Sequence, residues 1–252
     1  MKLIINADDC GKSKEVNAAI AKFIEAGKIT STTVMANMDD LEGAARLFRQ
    51  YKGIVSFGVH LNLTEGSPLI GSDLLIDNGL YRLIEGNKIG FDINPHRNKI
   101  MGANVQKELE KELCAQIEKV KDFGIEISHI DSHHHIHTGL VLLPLLPKLV
   151  KRYDIRKIRR MRNYFPAASR TNIALRNLWA QLVKFQNRQI IMTNHFGIYE
   201  EWYNGGKQIL SGDTTLELMC HPGGAYPEEE GKLLETDFTC LENVELINYN
   251  EI

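Results

Sequence analysis

Four histidines and one aspartate lie within residues 131–137, which read Asp-Ser-His-His-His-Ile-His. Imidazole is the commonest protein ligand for divalent metals, and a metal-bound histidine usually needs a hydrogen-bond partner at its other ring nitrogen. The alternating run before the cluster, 125–130, predicts a short buried strand. A dense group of this kind at a strand end indicates a metal site together with its supporting residues. A histidine-rich surface loop is the alternative interpretation.

Other residues with metal or proton chemistry follow apolar segments elsewhere in the chain. The segment 2–7 ends in Asp8 and Asp9, 54–61 carries His60, 190–193 runs into His195, and 215–220 ends at His221. In parallel α/β sheets and barrels, function collects where the carboxyl ends of the strands meet. We therefore expect these side chains to converge with the histidine cluster, although they are far apart in sequence.

Two adjacent carboxylates, Asp8 and Asp9, suit a metal-dependent hydrolase. One can bind the cation while the other takes a proton from the attacking water. A divalent ion held by one aspartate and two histidines keeps positions open for water and for a substrate oxygen. A further histidine on the opposite side can protonate the leaving group.

Each of these residues also has an ordinary structural interpretation when it is taken alone. Asp8 or Asp9 can cap the first helix, and His60 can be a satisfied histidine of the core. His195 can line a pocket without taking part in chemistry, and His221, which precedes Pro-Gly-Gly, can belong to a turn. A single shared site explains why all of them occur at strand ends.

The segments that must position these side chains alternate between strand and helix. Apolar and β-branched runs predict strands at 2–7, 32–38, 54–61, 125–130, 190–193, 215–220 and 244–249, and the segment 157–162 predicts a basic strand. Apolar residues at helical spacing predict helices at 13–27, 40–51, 104–124, 140–153 and 171–187. Residues 64–103, rich in Gly, Pro, Asn and Asp, predict a long inserted loop over the active end of the sheet. The order predicts an α/β fold with a parallel sheet, in a single domain spanning residues 1–252.

The composition excludes several classes of function. Of 252 residues, 30 are basic and 32 acidic, and the net charge of −2 provides neither a basic stripe for nucleic acid nor a polybasic membrane surface. The four cysteines are scattered without a Cys-x-x-Cys pair, so we expect reduced thiols rather than a disulfide framework. We find neither a signal peptide nor an apolar run long enough to span a membrane, and we expect a cytoplasmic protein.

Five motifs together resemble one known family. They are Asn-Ala-Asp-Asp-Cys-Gly at 6–11, Ser-Thr-Thr at 31–33, Gly-Val-His-Leu-Asn-Leu-Thr-Glu-Gly at 58–66, His-Ile-Asp-Ser-His-His-His-Ile-His at 129–137 and Met-Cys-His-Pro-Gly at 219–223. In this order, and over nearly the whole chain, they resemble the YdjC-like carbohydrate deacetylases, which include the chitooligosaccharide deacetylases. Cys10 departs from the family pattern, in which an aromatic residue is common at this position.

The resemblance implies a fold, an activity and a set of site residues. The fold is a TIM-like (β/α) barrel similar to that of polysaccharide deacetylases. The activity is metal-dependent removal of acetyl groups from N-acetylated mono- or oligosaccharides, by a cytoplasmic homodimer. Asp9, His60 and His133 look like the metal ligands, Asp8 like the general base and His221 like the general acid. The resemblance implies Mg²⁺, whereas two imidazoles and a carboxylate suit Zn²⁺ better.

Other functions and roles stay open at this point. The same residues suit another metal-dependent amidohydrolase or a phosphoesterase on a similar barrel. A non-catalytic protein that binds a sugar or a metal is a further alternative. Trp202 and Tyr203 follow His195 in a polar segment, where they can stack on sugar faces or serve as ordinary loop anchors.

Overall fold

The computed structural model describes residues 1–84, 88–165, 170–224 and 227–252, in which strands and helices alternate. The strands are β1 (Lys2–Cys10), β2 (Ser31–Val34), β3 (Ser56–Leu61), β4 (Tyr81–Ile84), β5 (Lys88–Phe91), β6 (His129–Ser132), β7 (Lys157–Ile158), β8 (His195–Ile198), β9 (Thr215–Cys220) and β10 (Glu245–Leu246). The α-helices are α1 (Lys14–Glu25), α2 (Leu41–Tyr51), α3 (Asp73–Asp77), α4 (Ala103–Asp122), α5 (Leu146–Tyr153), α6 (Arg170–Gln186), α7 (Tyr199–Asn204) and α8 (Pro227–Glu235). Short 3₁₀ helices cover Asn94–His96, His133–Thr138, Phe238–Cys240 and Tyr249–Glu251.

Seven strands form one curled parallel sheet in the order β7-β6-β3-β2-β1-β9-β8, and β10 pairs in parallel with the start of β1. The two edges of the sheet touch. Lys157 of β7 forms a parallel bridge with Ile191, and the backbone N–H groups of Asn163 and Tyr164 both donate to the carbonyl of Phe196 in β8. The predicted α/β class with a parallel sheet is therefore confirmed.

Helix α1 shows how local sequence sets the start of the fold. Ser13 is its N-cap and accepts a hydrogen bond from the backbone N–H of Val16. Buried residues on one helical face, Ile20 and Phe23 among them, pack into the hydrophobic core around β1. Because Ser13 fills the capping position, Asp8 and Asp9 are not the caps of this helix.

The segment 64–103 has structure of its own. It contains α3, the antiparallel hairpin of β4 and β5, and a 3₁₀ turn, whereas its residues 85–87 lie outside the described residues. Glu112 of α4 is fully buried and accepts hydrogen bonds from the backbone N–H groups of Leu69 and Ile70. Arg97 donates to the carbonyls of His134 and His135. The segment is therefore tied to the histidine cluster at the carboxyl end of β6.

Several predicted boundaries are wrong. β1 continues through Asp8 and Asp9 to Cys10 instead of stopping at residue 7. The strand predicted at 125–130 begins only at His129, and the helix predicted at 140–153 begins at Leu146, with Pro147 in its first turn, where a proline is tolerated. The strand predicted at 190–193 is instead β8, which begins at His195. The strands predicted at 32–38, 157–162 and 244–249 are shorter, as β2, β7 and β10.

The C-terminal segment closes the interior of the curled sheet. Tyr249 is fully buried and stacks on His129, with ring centroids 3.6 Å apart and an interplanar angle of 6°. Gly58 of β3 faces the same ring, since a Cβ at this position would lie 2.5 Å from His129. Gly58 therefore makes room for the ring. Within the described part of the chain, we find no helix with the length and apolarity that a membrane span requires.

Candidate functional site

The end of β1 is irregular, and this turns two adjacent carboxylates toward one cavity. The register between β1 and β2 shifts between Ala7 and Cys10, and Asp9 has a φ of 68° in the left-handed region. An irregularity of this kind re-aims side chains at the end of a strand, and aspartate tolerates left-handed backbone better than most residues with a Cβ. Asp8 and Asp9 both line a cavity of about 800 Å³.

The same cavity collects the residues at the ends of four strands. Its titratable lining side chains are Asp8, Asp9, Lys12, Asp39, His60, Glu65, His133, His134, His135 and His221. All five residues expected to bind the metal or to move protons are among them. His195 is not, and its position is described below.

Asp9, His60 and His133 bring three potential ligand atoms within 4.8 Å of one another. Oδ1 of Asp9 lies 3.3 Å from Nε2 of His60 and 2.9 Å from Nδ1 of His133. Burial of Asp9 opposes its ionisation, but the two neighbouring imidazoles outweigh this effect and hold the pKa of Asp9 well below its ordinary value. Asp9 is therefore a carboxylate throughout the physiological pH range.

This donor set fits a divalent ion. Oδ1 of Asp9 is buried and has no hydrogen bond of good geometry within the described residues, although two imidazole nitrogens lie close to it. A buried oxygen of this kind is costly unless a ligand satisfies it. One carboxylate and two imidazoles with open positions are typical of a catalytic metal site.

A second group of potential ligands, Asp8, His60 and Asp131, lies beside the first. It suits a metal less well because a cation is already present. Nη1 of Arg159 is 2.7 Å from Oδ2 of Asp8 and 2.7 Å from Oδ2 of Asp131. The group formed by Asp9, His60 and His133 is therefore the better candidate metal centre.

Asp131 orients His60. Nδ1 of His60 lies 2.7 Å from Oδ1 of Asp131, so that Nδ1–H donates to the carboxylate and Nε2 faces Asp9. The hydroxyl of Thr33 donates to the other oxygen of Asp131. Burial disfavours protonation of His60, but Asp131 and Asp9 outweigh it and raise the pKa of His60 to about 10. A carboxylate behind a metal-binding imidazole is a common way to fix the ring and its tautomer.

Glu65 has the corresponding position behind His133. Its Oε2 is 2.8 Å from Nε2 of His133 and 2.8 Å from Nζ of Lys12, while Nδ1 of His133 faces Asp9. Burial opposes ionisation of Glu65, but Lys12 and His133 lower its pKa below the ordinary value. Glu65 thus holds the His133 ring and a cavity lysine at once.

The other histidines of the cluster have different surroundings. His134 is exposed and contacts the hydroxyl of Thr64. His137 is fully buried between Ser132 and the carbonyl of Arg159, and burial lowers its pKa well below the ordinary value. His134 and His135 both have positive φ, which turns the chain sharply after His133. The cluster therefore supplies one ligand of the candidate metal centre together with structural residues.

Asp8 is held by an ion pair. It is 2% exposed, and its two oxygens accept hydrogen bonds from Nη1 and Nη2 of Arg159, each at 2.7 Å. Burial would raise the pKa of Asp8, but the Arg159 guanidinium holds it well below the ordinary value. Nε of Arg159 donates to Glu217, which also accepts from the hydroxyl of Tyr249. A buried polar network therefore extends from Asp8 to the C-terminal segment.

His221 lies directly after β9 and is half-buried. Its backbone N–H donates to Oε2 of Glu229 at 2.6 Å, and its Nδ1 is 4.0 Å from the same oxygen. Glu229 belongs to α8 and is 4% exposed. Burial raises the pKa of Glu229 to about 7. Helix α8 thus places a carboxylate behind the histidine at the cavity wall.

The expected convergence of His195 with the other site residues is wrong, and of the two roles left open for Trp202 only the packing role agrees with its burial. His195 begins β8, where it pairs with Leu216, and Leu216 pairs with Leu3 at the amino end of β1, away from Asp8 and Asp9. Trp202 is fully buried in α7, and its indole N–H donates to the carbonyl of Gln208. Stacking of Trp202 on a sugar is therefore excluded by burial.

Tyr203 does not belong to the cavity either. Its hydroxyl donates to Glu235, and its ring lies close to that of Tyr199. The interpretation of Trp202 and Tyr203 as anchors of their segment is the one that their contacts support.

Six residues that hold the site in place were not predicted from the sequence: Lys12, Glu65, Arg159, Glu217, Glu229 and Tyr249. Arg159 directly follows β7 in a mostly basic segment, and Glu217 lies inside the otherwise apolar β9. One signal was available, because a charged residue inside an otherwise apolar buried strand needs a partner of opposite charge. Which partner it takes depends on the register of the sheet.

Comparison with known proteins gives the same family over nearly the whole chain. Residues 2–248 match the family model described as YdjC-like protein. The chain is 38% identical over 269 aligned residues to a carbohydrate deacetylase of Geobacillus stearothermophilus, covering 98% of this chain and 96% of that protein. It is 32% identical over 259 residues to a carbohydrate deacetylase of Halalkalibacterium halodurans, covering 98% and 97%.

A solved structure supports the fold. A crystal structure of an Enterococcus faecalis protein, described as a candidate for cellobiose-phosphate cleavage, superimposes with a TM-score of 0.75 and covers 99% of this chain and 98% of its own. At 22% identity, this likeness concerns the curled α/β sheet and not the activity.

Proposed function

The chain belongs to the YdjC-like family, and we propose that it is a metal-dependent carbohydrate deacetylase that removes acetyl groups from N-acetylated sugars or oligosaccharides of the diacetylchitobiose type. One observation carries the proposal. Three candidate metal ligands, Asp9, His60 and His133, share a cavity with a carboxylate and a histidine, Asp8 and His221, that can move protons. Hydrolysis of an acetamide by this route needs a bound metal ion, a proton acceptor and a proton donor in one place.

Asp9, His60 and His133 would hold the ion, either the Mg²⁺ that the family resemblance implies or the Zn²⁺ that two imidazoles favour. A divalent ion bound at this position supplies Lewis-acid polarisation of the acyl oxygen and acidifies water. Asp131 and Glu65 contact the outer nitrogens of His60 and His133 and keep both rings turned toward Asp9.

Asp8 serves as the general base. Arg159 keeps it ionised, so that a carboxylate oxygen is available to accept a proton from the attacking water. The same ion pair fixes both oxygens of Asp8, which limits the positions from which Asp8 can deprotonate a water molecule. Arg159 thereby contributes orientation as well as charge.

His221 serves as the general acid. Because its Nδ1 is on the side of Glu229, we assign Nε2 as the atom that donates a proton to the departing amine. Glu229 accepts a hydrogen bond from the backbone N–H of His221 and so holds this part of the chain. When Glu229 is ionised, its carboxylate also faces the ring and stabilises the imidazolium. Asp8 and His221 thus take opposite roles in the reaction.

The proposal extends to architecture and assembly. The curled sheet, with its edges joined between Lys157 and Ile191, supports a seven-stranded variant of the (β/α) barrel, acting as one catalytic domain. The proposal includes a cytoplasmic location, with which the four free cysteines agree.

Helix α6 supports the predicted homodimer. The apolar residues of this helix divide into two faces. Val183 is buried, whereas Leu175, Leu178, Leu182 and Phe185 are 46–80% exposed. An apolar stripe of this kind on one helix is typical of an interface between protein chains. Light scattering of the wild type and of Leu178→Asp tests the assignment, and an unchanged oligomeric state would exclude this face.

An acetate-release panel tests the activity. Purified protein is analysed for its metal content and incubated with N-acetylglucosamine, diacetylchitobiose, triacetylchitotriose, an O-acetylated sugar and p-nitrophenyl phosphate. We expect one bound divalent ion and release of acetate from an N-acetylated sugar. Release of phosphate alone would favour the phosphoesterase alternative, and sugar binding without acetate release would favour the non-catalytic one.

A further inference from the structure

A second cavity, of about 390 Å³, lies at the opposite end of the sheet from the candidate metal centre. His195 and Thr214, at the amino ends of β8 and β9, contribute to its lining. His195 pairs with Leu216, which pairs with Leu3, five residues before Asp8 along β1. At about 3.3 Å per residue, the two cavities are separated by roughly 16 Å along this strand.

The lining of this cavity is cationic. Arg160, Lys184 and His195 contribute to it, together with amide and hydroxyl side chains, and none of its lining residues carries a carboxylate. Arg160 is only 8% exposed. Burial lowers the pKa of Arg160 to about 10, and no carboxylate of the described residues counteracts this effect. Burying a cation without an anionic partner is energetically costly.

The hydrogen bonds of Arg160 are only partly satisfied. Nη1 donates to the carbonyls of Thr193 and Asn194, and Nη2 donates to Oδ1 of Asn177 at 2.7 Å. These bonds fix the segment that leads into β8. Nε of Arg160 and the hydroxyl of Thr193 are both buried and have no hydrogen-bond partner among the described residues. Two unused polar groups therefore belong to residues of the cavity wall.

Lys184 and His195 complete the cationic group. Lys184 lies on the exposed surface of α6, and His195 is half-buried. Burial, and after it the charge of Arg160, lowers the pKa of both side chains. The charge of Arg160 therefore disfavours protonation of both neighbouring side chains. An anion between the three groups would counteract this effect.

We propose that the cavity lined by Arg160, Lys184, His195 and Thr193 is a binding site for a phosphoryl group. Guanidinium, ammonium, imidazole and hydroxyl groups together offer the donors that a tetrahedral oxyanion accepts from several sides. The cavity volume of about 390 Å³ exceeds the size of phosphate alone and leaves room for a sugar that carries it. The ligand is therefore either inorganic phosphate or a small phosphorylated sugar.

Binding at this site is measured directly, apart from activity. Isothermal titration calorimetry and thermal unfolding of the metal-loaded protein follow the addition of inorganic phosphate and, separately, glucosamine 6-phosphate, with sodium chloride at equal ionic strength as the reference. We expect saturable binding and a raised Tm, because a ligand that binds only the folded state stabilises it. Tighter binding of the sugar phosphate identifies a phosphorylated sugar as the ligand, and equal binding identifies the phosphoryl group alone.

Variants locate the site. Lys184→Gln replaces the ammonium and His195→Gln replaces the imidazole at the open side of the cavity, and both leave the Arg160 contacts intact. Each should weaken phosphate binding by about tenfold or more, since a hydrogen bond to the anion loses its geometry and, for Lys184, its charge. Lys151→Gln, on the exposed surface of α5, is the matched control and should bind as the wild type does.

One further variant separates the two cavities. His133→Ala removes a candidate metal ligand and leaves the second cavity unchanged, so phosphate binding should persist in it. Binding that is as tight in Lys184→Gln as in the wild type, disappears in His133→Ala, or is undetectable in the wild type at tens of millimolar phosphate would overturn the proposal.

Discussion

The guanidinium of Arg159 donates one hydrogen bond to each carboxylate oxygen of Asp8, both at 2.7 Å. The same side chain lies 2.7 Å from Asp131 and donates through Nε to Glu217. Arg159, Asp131 and Glu217 are all fully buried. One cation therefore joins the proposed base to the carboxylate that orients His60. A change at any of these carboxylates alters the electrostatic environment of the other two.

Substitution of Asp8 tests the assignment of the base. Asp8→Asn keeps an oxygen that can accept from Arg159 but removes the proton-accepting carboxylate. We expect kcat for acetate release to fall by about 10²–10⁴-fold, which is the usual contribution of general base catalysis. Metal content should stay at the wild-type level. Asp154→Asn, on an exposed turn, is the control. Turnover at the parent rate in Asp8→Asn would show that another group accepts the proton.

Two neighbouring histidines provide a matched test of the metal centre. His133 faces Asp9 through Nδ1, whereas His134 is exposed and contacts Thr64. We expect His133→Ala to lose the bound ion and His134→Ala to retain it, as measured by elemental analysis after dialysis. Removal of the ion with a chelator should abolish acetate release, and added Mg²⁺ or Zn²⁺ should restore it in His134→Ala but not in His133→Ala. Equal metal content in both variants contradicts the assignment of His133.

The ligand types were predictable from the sequence because their chemistry is visible in single residues. Asp9, His60 and His133 each occur at or near the end of an apolar segment, and parallel strands bring such ends together. Asp131 was expected in the same group, and it contacts His60. Side-chain type and strand direction were sufficient to predict that these residues converge, whereas the choice of Asp9, His60 and His133 as ligands came from the family resemblance.

The partners of these residues were not predictable, because they depend on register. Whether Arg159 contacts Asp8 is decided by how β7 is aligned with the rest of the sheet, and a shift of one residue would turn its side chain to the other face. His195 shows the same limitation. The predicted strand ended before His195, whereas the observed strand β8 begins with His195. This difference moves His195 to the amino end of the sheet.

Trp202 tests the distinction between a packing role and a sugar-binding role. Its side chain is fully buried and lies in ring contact with Tyr199 and Phe238. Trp202→Ala should cost about 3–5 kcal/mol in the free energy of unfolding, the usual range for a buried tryptophan. KM for the N-acetylated sugar should be unchanged at temperatures where the variant is folded. A raised KM in a fully folded variant would instead restore the sugar-stacking role.

Glu229 is expected to assist proton donation through its contact with His221, the proposed general acid. Glu229→Gln keeps an acceptor for the His221 backbone N–H but removes the charge that faces the ring. We expect kcat to fall by about tenfold with little change in KM, because the imidazolium loses the carboxylate that faces it from α8. The loss should be larger above pH 7, since the pKa of Glu229 is about 7 and its charge is present mainly above that value.

Glu228 gives the control for this experiment. It is exposed at the start of the same helix, so Glu228→Gln should reproduce the parent pH profile. A Glu229→Gln profile that coincides with that of Glu228→Gln would leave Glu229 with a structural role alone.

The buried carboxylate of Glu217 links the ion pair of Asp8 to the stability of the C-terminal segment. Oε1 of Glu217 accepts from Nε of Arg159, and Oε2 accepts from the hydroxyl of Tyr249. Burial raises the pKa of Glu217 from 4.5 to about 7, against the opposing effect of Arg159. Between these two pH values the folded protein binds more protons at this position than the unfolded chain does.

This difference sets the sign of a pH effect on stability. The protonated Glu217 contributes to the free energy of unfolding. This stabilising contribution is fully present below pH 4.5 and is lost as the pH rises through about 7. The free energy of unfolding then falls by at most about 1.4 kcal/mol per pH unit. Glu217→Gln carries no titrating proton, so the free energy of unfolding should fall less steeply over this range than in the wild type. Urea unfolding of both proteins at pH 5, 6, 7 and 8, at one fixed metal concentration, measures the two slopes.

Tyr249→Phe is the companion variant, because it removes the hydroxyl donor and keeps the carboxyl of Glu217. The slope of its free energy of unfolding against pH should therefore be at least as steep as that of the wild type. Parallel curves for the wild type and Glu217→Gln would mean that Glu217 is ionised in the folded protein across the whole range, as a carboxylate fully compensated by Arg159.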